Sequence, residues 1–250
     1  MPDAPARRGK ADYRYNVQNL ARGSGDSQAH RGPAMALISK DEQLLFVRAP
    51  TTASSAVEKL LQASGKFRGL GEKHMNLKDL ENLGLVDPET MQGLRKVRGV
   101  RNPFDLMVSA YFKNRSYGLK DRIGWIRQVP GLREEIKAAR SMDFREWIHW
   151  LAGSRHLDMV YYRTALRYHD DRFDRIVRFE CLIGDLGAAL EGLACTAGLP
   201  RRNGLIELPE VGVNANRMRD YTPYYDGETR DMVARVASDD LRRFGYHFET

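Results

Sequence analysis

A chain of 250 residues, 42% hydrophobic and 29% charged, has an ordinary globular composition and can bury a substantial core without needing a second domain. Its formal charge of +7 favours anionic partners, yet the basic residues are spread along the chain without a nucleic-acid motif or interleaved stacking aromatics, so specific nucleic-acid binding is not expected. No apolar run approaches the ~20 residues that cross a bilayer and the first residues carry no hydrophobic signal core, so no membrane span and a cytoplasmic location are expected.

Residues 1–33 are polar, arginine-rich and poor in periodic apolar positions, which predicts a flexible arm ahead of one domain over 34–250. Met35 to Ser39 and Leu44 to Val47 are apolar and flank a charged turn, predicting an extra strand that leads into the first core strand. Pro50 breaks the second strand, and Ser55 with Glu58 three residues later has the form of a capping box opening a helix with Val57, Leu60 and Leu61 inward. The hydroxyls of Thr52, Ser54 and Ser55, with the unpaired amides of that helix's first turn, are expected to converge on a small anion. Next, Val97 to Arg101 predicts a short strand running into a helix that has Pro103 near its first position and Phe104, Met107, Val108 and Tyr111 at core spacing. Arg101 stands at the strand's end and Ser109 off the apolar stripe, so both are expected to reach one phosphate group.

The middle, from about Arg115 to Arg172, says least, although Trp147 and Trp150 on a predicted helix from Asp143 to Leu151 are expected to pack in the core. Arg175 to Phe179 reads as a third core strand and Leu182 to Ala197 as a helix stopped by Gly198 and Pro200. Cys181 and Cys195 fit no paired metal-ligand pattern and read as buried small hydrophobes, and no metal site is expected. Helix following strand repeatedly predicts an α/β fold, a central parallel sheet flanked by helices with the ligand at the carboxyl ends of its strands.

Four separated segments resemble the sulfotransferases that use 3′-phosphoadenosine 5′-phosphosulfate (PAPS), in particular the carbohydrate-type branch. Pro50 to Ser55 (PTTASS) is similar to the family's loop for the 5′-phosphosulfate, and Val100 to Tyr111 (VRNPFDLMVSAY) to its 3′-phosphate segment. Arg178 to Leu182 (RFECL) resembles the family's strand and glutamate before a late helix, and Tyr221 to Tyr246, with its Asp240 and Phe244-Gly245-Tyr246, resembles the closing helix and signature. The resemblance implies a P-loop-like sulfotransferase fold, transfer of a sulfuryl group to a hydroxyl of a small molecule or oligosaccharide, and 3′-phosphoadenosine 5′-phosphate (PAP) as product, with no metal. It assigns Thr52, Ala53, Ser54 and Ser55 to the phosphosulfate, Arg101 and Ser109 to the 3′-phosphate, and Arg217 and Arg219 in the segment from Arg201 to Tyr221 to a loop closing over the nucleotide.

His74 occupies a position resembling the family's histidine opposite the donor and titrates near neutrality, which suits a base drawing the acceptor's proton. Thr51 departs from the pattern, since it stands where the family carries a lysine that neutralises charge on the departing nucleotide; Arg48, Lys59 and Lys73 are the nearest cations. A hydroxyl donates a hydrogen bond but brings no charge, so an alternative is a weak or silent nucleotide-binding member of the same fold. A kinase-like enzyme is disfavoured, because the loop lacks Gly-x-x-x-x-Gly-Lys-Ser/Thr and no acidic Mg²⁺ partner stands out. The acceptor and the oligomeric state are not legible.

Overall fold

The computed structural model describes residues 36–71, 77–117, 131–154, 156–164, 172–209 and 220–249, all within one compact unit, Pro33–Thr250. His74, Lys73, Arg217, Arg219 and the arm over 1–33 lie outside the described residues.

The centre is a five-stranded sheet of β1 (Ala36–Ser39), β2 (Leu44–Val47), β3 (Phe67–Leu70), β4 (Arg95–Val100) and β5 (Arg175–Arg178), in the order β3-β1-β2-β4-β5. It is mixed, which corrects the expectation of a parallel sheet: β2, β4 and β5 are parallel, whereas β1 runs antiparallel to both β2 and β3. The reason is local. Only residues 40–43 separate β1 from β2, too few for the crossover that parallel neighbours need. That turn is fixed by the buried Ser39 hydroxyl, whose oxygen accepts the Gln43 and Leu44 amides at 3.0 Å each.

Helix α1 (Ser54–Ala63) follows β2, and α8 (Leu182–Leu190) follows β5. Both pack on one sheet face, where Leu37, Leu44, Phe46 and Val97 meet Val57, Leu60, Leu61, Leu186 and Leu190. The alternate residues Leu45 and Val47 are also buried, so β2 reads as an apolar run without polar alternation. Helices α2 (Leu77–Asn82) and α3 (Pro88–Gly93) come between β3 and β4.

A second core is mainly helical and rich in aromatic residues. It joins α4 (Pro103–Ser116), α5 (Leu132–Ser141), α6 (Phe144–Gly153), α7 (Leu157–Thr164) and α9 (Gly227–Val236) around Phe104, Tyr111, Phe144, Trp147, Tyr221 and Tyr225. Three of these helices begin at side-chain caps: Asn102 caps α4 ahead of Pro103, Asp143 and Glu146 form a capping box on α6, and Asp226 with Thr229 does the same on α9. Trp147 is fully buried as expected, while Trp150 is half-buried against His156. A short helix, α10 (Ser238–Phe244), closes the unit and ends at Gly245, whose φ of 68° suits glycine.

Two expectations fail here. Cys195 is buried, and burial pushes its thiol up, but Cys181 is exposed at the start of α8, off that helix's apolar face. The helix from Leu182 stops at Leu190, and residues 194–196 form a separate 3₁₀ turn, because Glu191 is already extended at ψ 138° and Gly192 follows with a φ of 75°. Among the described residues no helix is long and apolar enough to cross a membrane.

Asp226 gives the first prediction. Its carboxylate accepts the Thr229 amide at 2.8 Å, and that hydrogen bond holds the Asp226 carboxyl below the usual aspartate value of 3.8. Removing such a cap costs about 1 kcal/mol. A depressed folded value means the stabilisation is present above the unfolded value and lost as pH falls through the folded one. Denaturant melts of Asp226→Ala should therefore lie below wild type by that amount at neutral pH, with the gap narrowing only below about pH 4.

Candidate anion site at the strand ends

β2 delivers the chain into a turn over 50–53 before α1 begins at Ser54. Thr51 and Ala53 both take left-handed backbone angles, φ 60° and 56°. For β-branched Thr51 that conformation is strained, so the turn is held by its surroundings rather than by its own preference. Alternation of this kind aims successive amides toward one side, and the first amides of α1 add to them because a helix start supplies them no acceptor.

The expected capping box is absent. The residue before α1 is Ala53, which has no side-chain cap, and Ser55 and Glu58 are instead engaged by Arg48: Nη2 donates to the Ser55 hydroxyl at 3.2 Å, and Nη1 lies 3.0 Å from Glu58. Burial pushes the Glu58 carboxyl up, with Arg48 pulling in the opposite direction. The converging hydroxyls are also corrected. Thr52 and Ser54 both donate inward to the Ala49 carbonyl at 2.9 Å, and Thr51 donates to the Pro50 carbonyl at 2.7 Å, so these hydroxyls are engaged by the turn's own carbonyls. Of the cations nearest Thr51 in sequence, Arg48 sits at the turn through Ser55, whereas Lys59 is exposed on α1.

The second segment meets the first. Arg101, just past β4, donates from Nη1 to the Thr51 carbonyl at 2.8 Å and to the Ser109 hydroxyl at 3.3 Å. Its other edge faces Asp105, with Nε and Nη2 at 2.7 and 2.6 Å from one carboxylate oxygen, and its plane lies 3.9 Å from the Phe179 ring centre. Ser109 is 6% exposed although it stands off the helix's apolar spacing. The cause is that α4 is buried on nearly every side over residues 103–111, between sheet and helical core. A charge that is 9% exposed must be paired, and Asp105 supplies the pairing.

Two residues of this site, Gly99 and Arg98, were not singled out from sequence. Gly99 lies under the turn: a Cβ there would stand 2.6 Å from Thr52 Oγ1 and 2.8 Å from its Cβ, so glycine is what lets the turn settle on β4. Arg98, 4% exposed, stacks its guanidinium 5.4 Å from the Phe173 ring, and with Asp240 and Thr52 it lines a small cleft beneath the turn. Asp240 accepts the Tyr161 hydroxyl at 2.6 Å, and burial, then the Asp240 charge, holds that phenol protonated far above its ordinary range. A charged residue alternating with apolar ones inside Val97 to Arg101 was the available signal for Arg98. Glu180 accepts the Asn102 amide at 2.7 Å on one oxygen and the Tyr246 hydroxyl at 2.8 Å on the other.

The ends of β2, β4 and β5 thus carry the turn, Arg101 and Glu180 respectively, the edge of a parallel arrangement where ligands commonly bind. Compared with known proteins, the chain matches no family model, no curated protein and no solved structure.

Gly99→Ala tests the packing of the turn. Overpacking of this kind costs about 1–3 kcal/mol, and trimming the opposing side chain with Thr52→Gly should recover part of it. Denaturant unfolding of both single variants and the double variant measures the coupling; purely additive losses would place the clash elsewhere.

Proposed function

We propose that this chain binds PAPS and transfers its sulfuryl group to a hydroxyl of a carbohydrate or glycosylated acceptor. The observation that carries the reading is that the two segments resembling the family's 5′- and 3′-phosphate elements touch, through the 2.8 Å bond from Arg101 to the Thr51 carbonyl, with Ser109 on the same guanidinium nitrogen. In this reading the amides at the start of α1 take the 5′-phosphosulfate. Arg101 and Ser109 take the 3′-phosphate on the Nη1 side, while Asp105 keeps the opposite edge in place. Both residues are nearly covered, so a phosphate there would interact in a poorly hydrated setting, where charge-assisted hydrogen bonds are strong.

The chemistry divides among few groups. His74 would take the acceptor's proton as the hydroxyl oxygen attacks sulfur, and the bond from sulfur to the bridging oxygen breaks to release PAP. Negative charge grows on that bridging oxygen, and helix amides stabilise it. Thr51 brings no cation there; among the described residues Arg48 reaches Ser55 at the start of α1 and Arg101 reaches the Thr51 carbonyl. Losing one well-placed donor typically costs about 3–4 kcal/mol of barrier, so slow turnover is expected. Thr51 also favours a second reading, a protein that binds the nucleotide without transferring from it.

Calorimetry with PAP separates these readings from other functions. Wild type should bind, and Arg101→Ala should weaken binding at least ~10-fold, the effect of removing a charge-assisted contact. Absence of binding in wild type would overturn both. Transfer or slow hydrolysis of PAPS that is lost in His74→Ala and raised in Thr51→Lys supports the enzyme; binding with no turnover on a broad acceptor panel supports the silent protein.

A further inference from the structure

Asn102, the residue after Arg101, makes more bonds than a helix cap requires. It is 3% exposed, and its Oδ1 caps α4 by accepting the Phe104 amide at 3.0 Å. Its Nδ2 donates to the Tyr221 hydroxyl at 3.2 Å and to the His247 carbonyl at 3.0 Å, and its own amide donates to Glu180 at 2.7 Å. These partners are in turn tied together. Tyr246 donates to the second Glu180 oxygen at 2.8 Å, the Glu249 amide donates to the Tyr221 hydroxyl at 3.0 Å, and Phe248 packs edge-on against Phe104 with ring centres 5.0 Å apart.

Residues 246–249 are therefore strapped across the turn between β4 and α4 by hydrogen bonds at three points and an aromatic contact. A cap alone is satisfied by the Phe104 bond. The remaining bonds fix the direction in which the chain leaves the sheet at the one place where Arg101 must project toward Thr51 and Ser109. A long guanidinium side chain multiplies any backbone rotation at its root, and displacements near 1 Å at a binding group cost as much as ~100-fold in the function it serves.

We propose that Asn102 is a positioning residue of the anion site: through Tyr221, His247 and Glu180 it holds Arg101 in register, so that docking of residues 246–249 sets the affinity of the site. This rests on the reading that Arg101 binds a phosphate of the nucleotide.

Asn102→Ser is the informative variant, because serine caps a helix about as well as asparagine but cannot make the two Nδ2 bonds. By calorimetry with PAP it should bind ~10-fold more weakly than wild type while its melting temperature stays within a few degrees. Tyr246→Phe, which removes one bond at the rim, should lose ~3-fold. Because Asn102 acts through Arg101, the double variant Arg101→Ala with Asn102→Ser should bind no more weakly than Arg101→Ala alone. Wild-type affinity in Asn102→Ser, or losses that add fully in the double variant, would overturn the proposal. A wild type that does not bind PAP would fail the functional reading instead. Amide hydrogen exchange over residues 101–106 then decides the strap: faster exchange in Asn102→Ser and Tyr246→Phe upholds it, and exchange at the wild-type rate contradicts it. If Asn102→Ser does not fold, Tyr246→Phe and Glu180→Gln carry the same measurements.

Discussion

A guanidinium that is 9% exposed, held among a carboxylate, a carbonyl, a hydroxyl and an aromatic face, is the constraint around which this site is arranged. An unpaired charge at that depth would cost a large share of a small protein's net stability, and Asp105 offsets that cost from one turn along α4. The bond from Arg101 to the Thr51 carbonyl then ties the end of β4 to the strained turn after β2. Neither strand end is held by its own sequence. Thr51 adopts a left-handed conformation unsuited to its branched side chain, and the turn stays because Gly99 leaves room beneath it and Arg101 pins it from the side.

The same constraint orders the elements around it. α4 is buried nearly all round because its first turns carry Asp105 and Ser109 inward to Arg101 and Phe104 and Tyr111 outward to the helical core. Tyr225 donates to the Phe104 carbonyl at 2.9 Å from a buried position, and desolvation drives its phenol well above the ordinary tyrosine value. Polar bonds and aromatic packing thus act at one place, the entry to α4. That entry receives contacts from Glu180 after β5, from Tyr221, and from residues 246–249.

Much of this architecture was legible because it is written in local patterns. Leu44 to Val47 and Val97 to Val100 announce core strands, Pro103 after Asn102 announces a helix start, and Asp143 with Glu146 announces another. What failed were inferences from one element that depend on another. The Ser55 and Glu58 spacing suits a capping box, but Arg48, seven residues before Ser55, takes both side chains. The hydroxyls of Thr52 and Ser54 suit convergence on an anion when read from the turn alone, yet both donate to the Ala49 carbonyl. The all-parallel sheet followed from alternation of helix and strand, which cannot report that β1 enters by a short hairpin. Gly99 and Asn102 are unremarkable in sequence because their roles are defined by Thr52 and by residues 246–249, far along the chain.

In the proposed function the turn after β2 and the Arg101–Ser109 pair grip the two ends of one nucleotide, and the structure of a complex with PAP tests this. The 5′-phosphate is expected on the amides of residues 52–55 and the 3′-phosphate within hydrogen-bond distance of Arg101 and Ser109, with Asp105 still on the opposite edge of the guanidinium. Nucleotide bound elsewhere, or an Arg101 that keeps its present partners with nothing seated between it and α1, would contradict it.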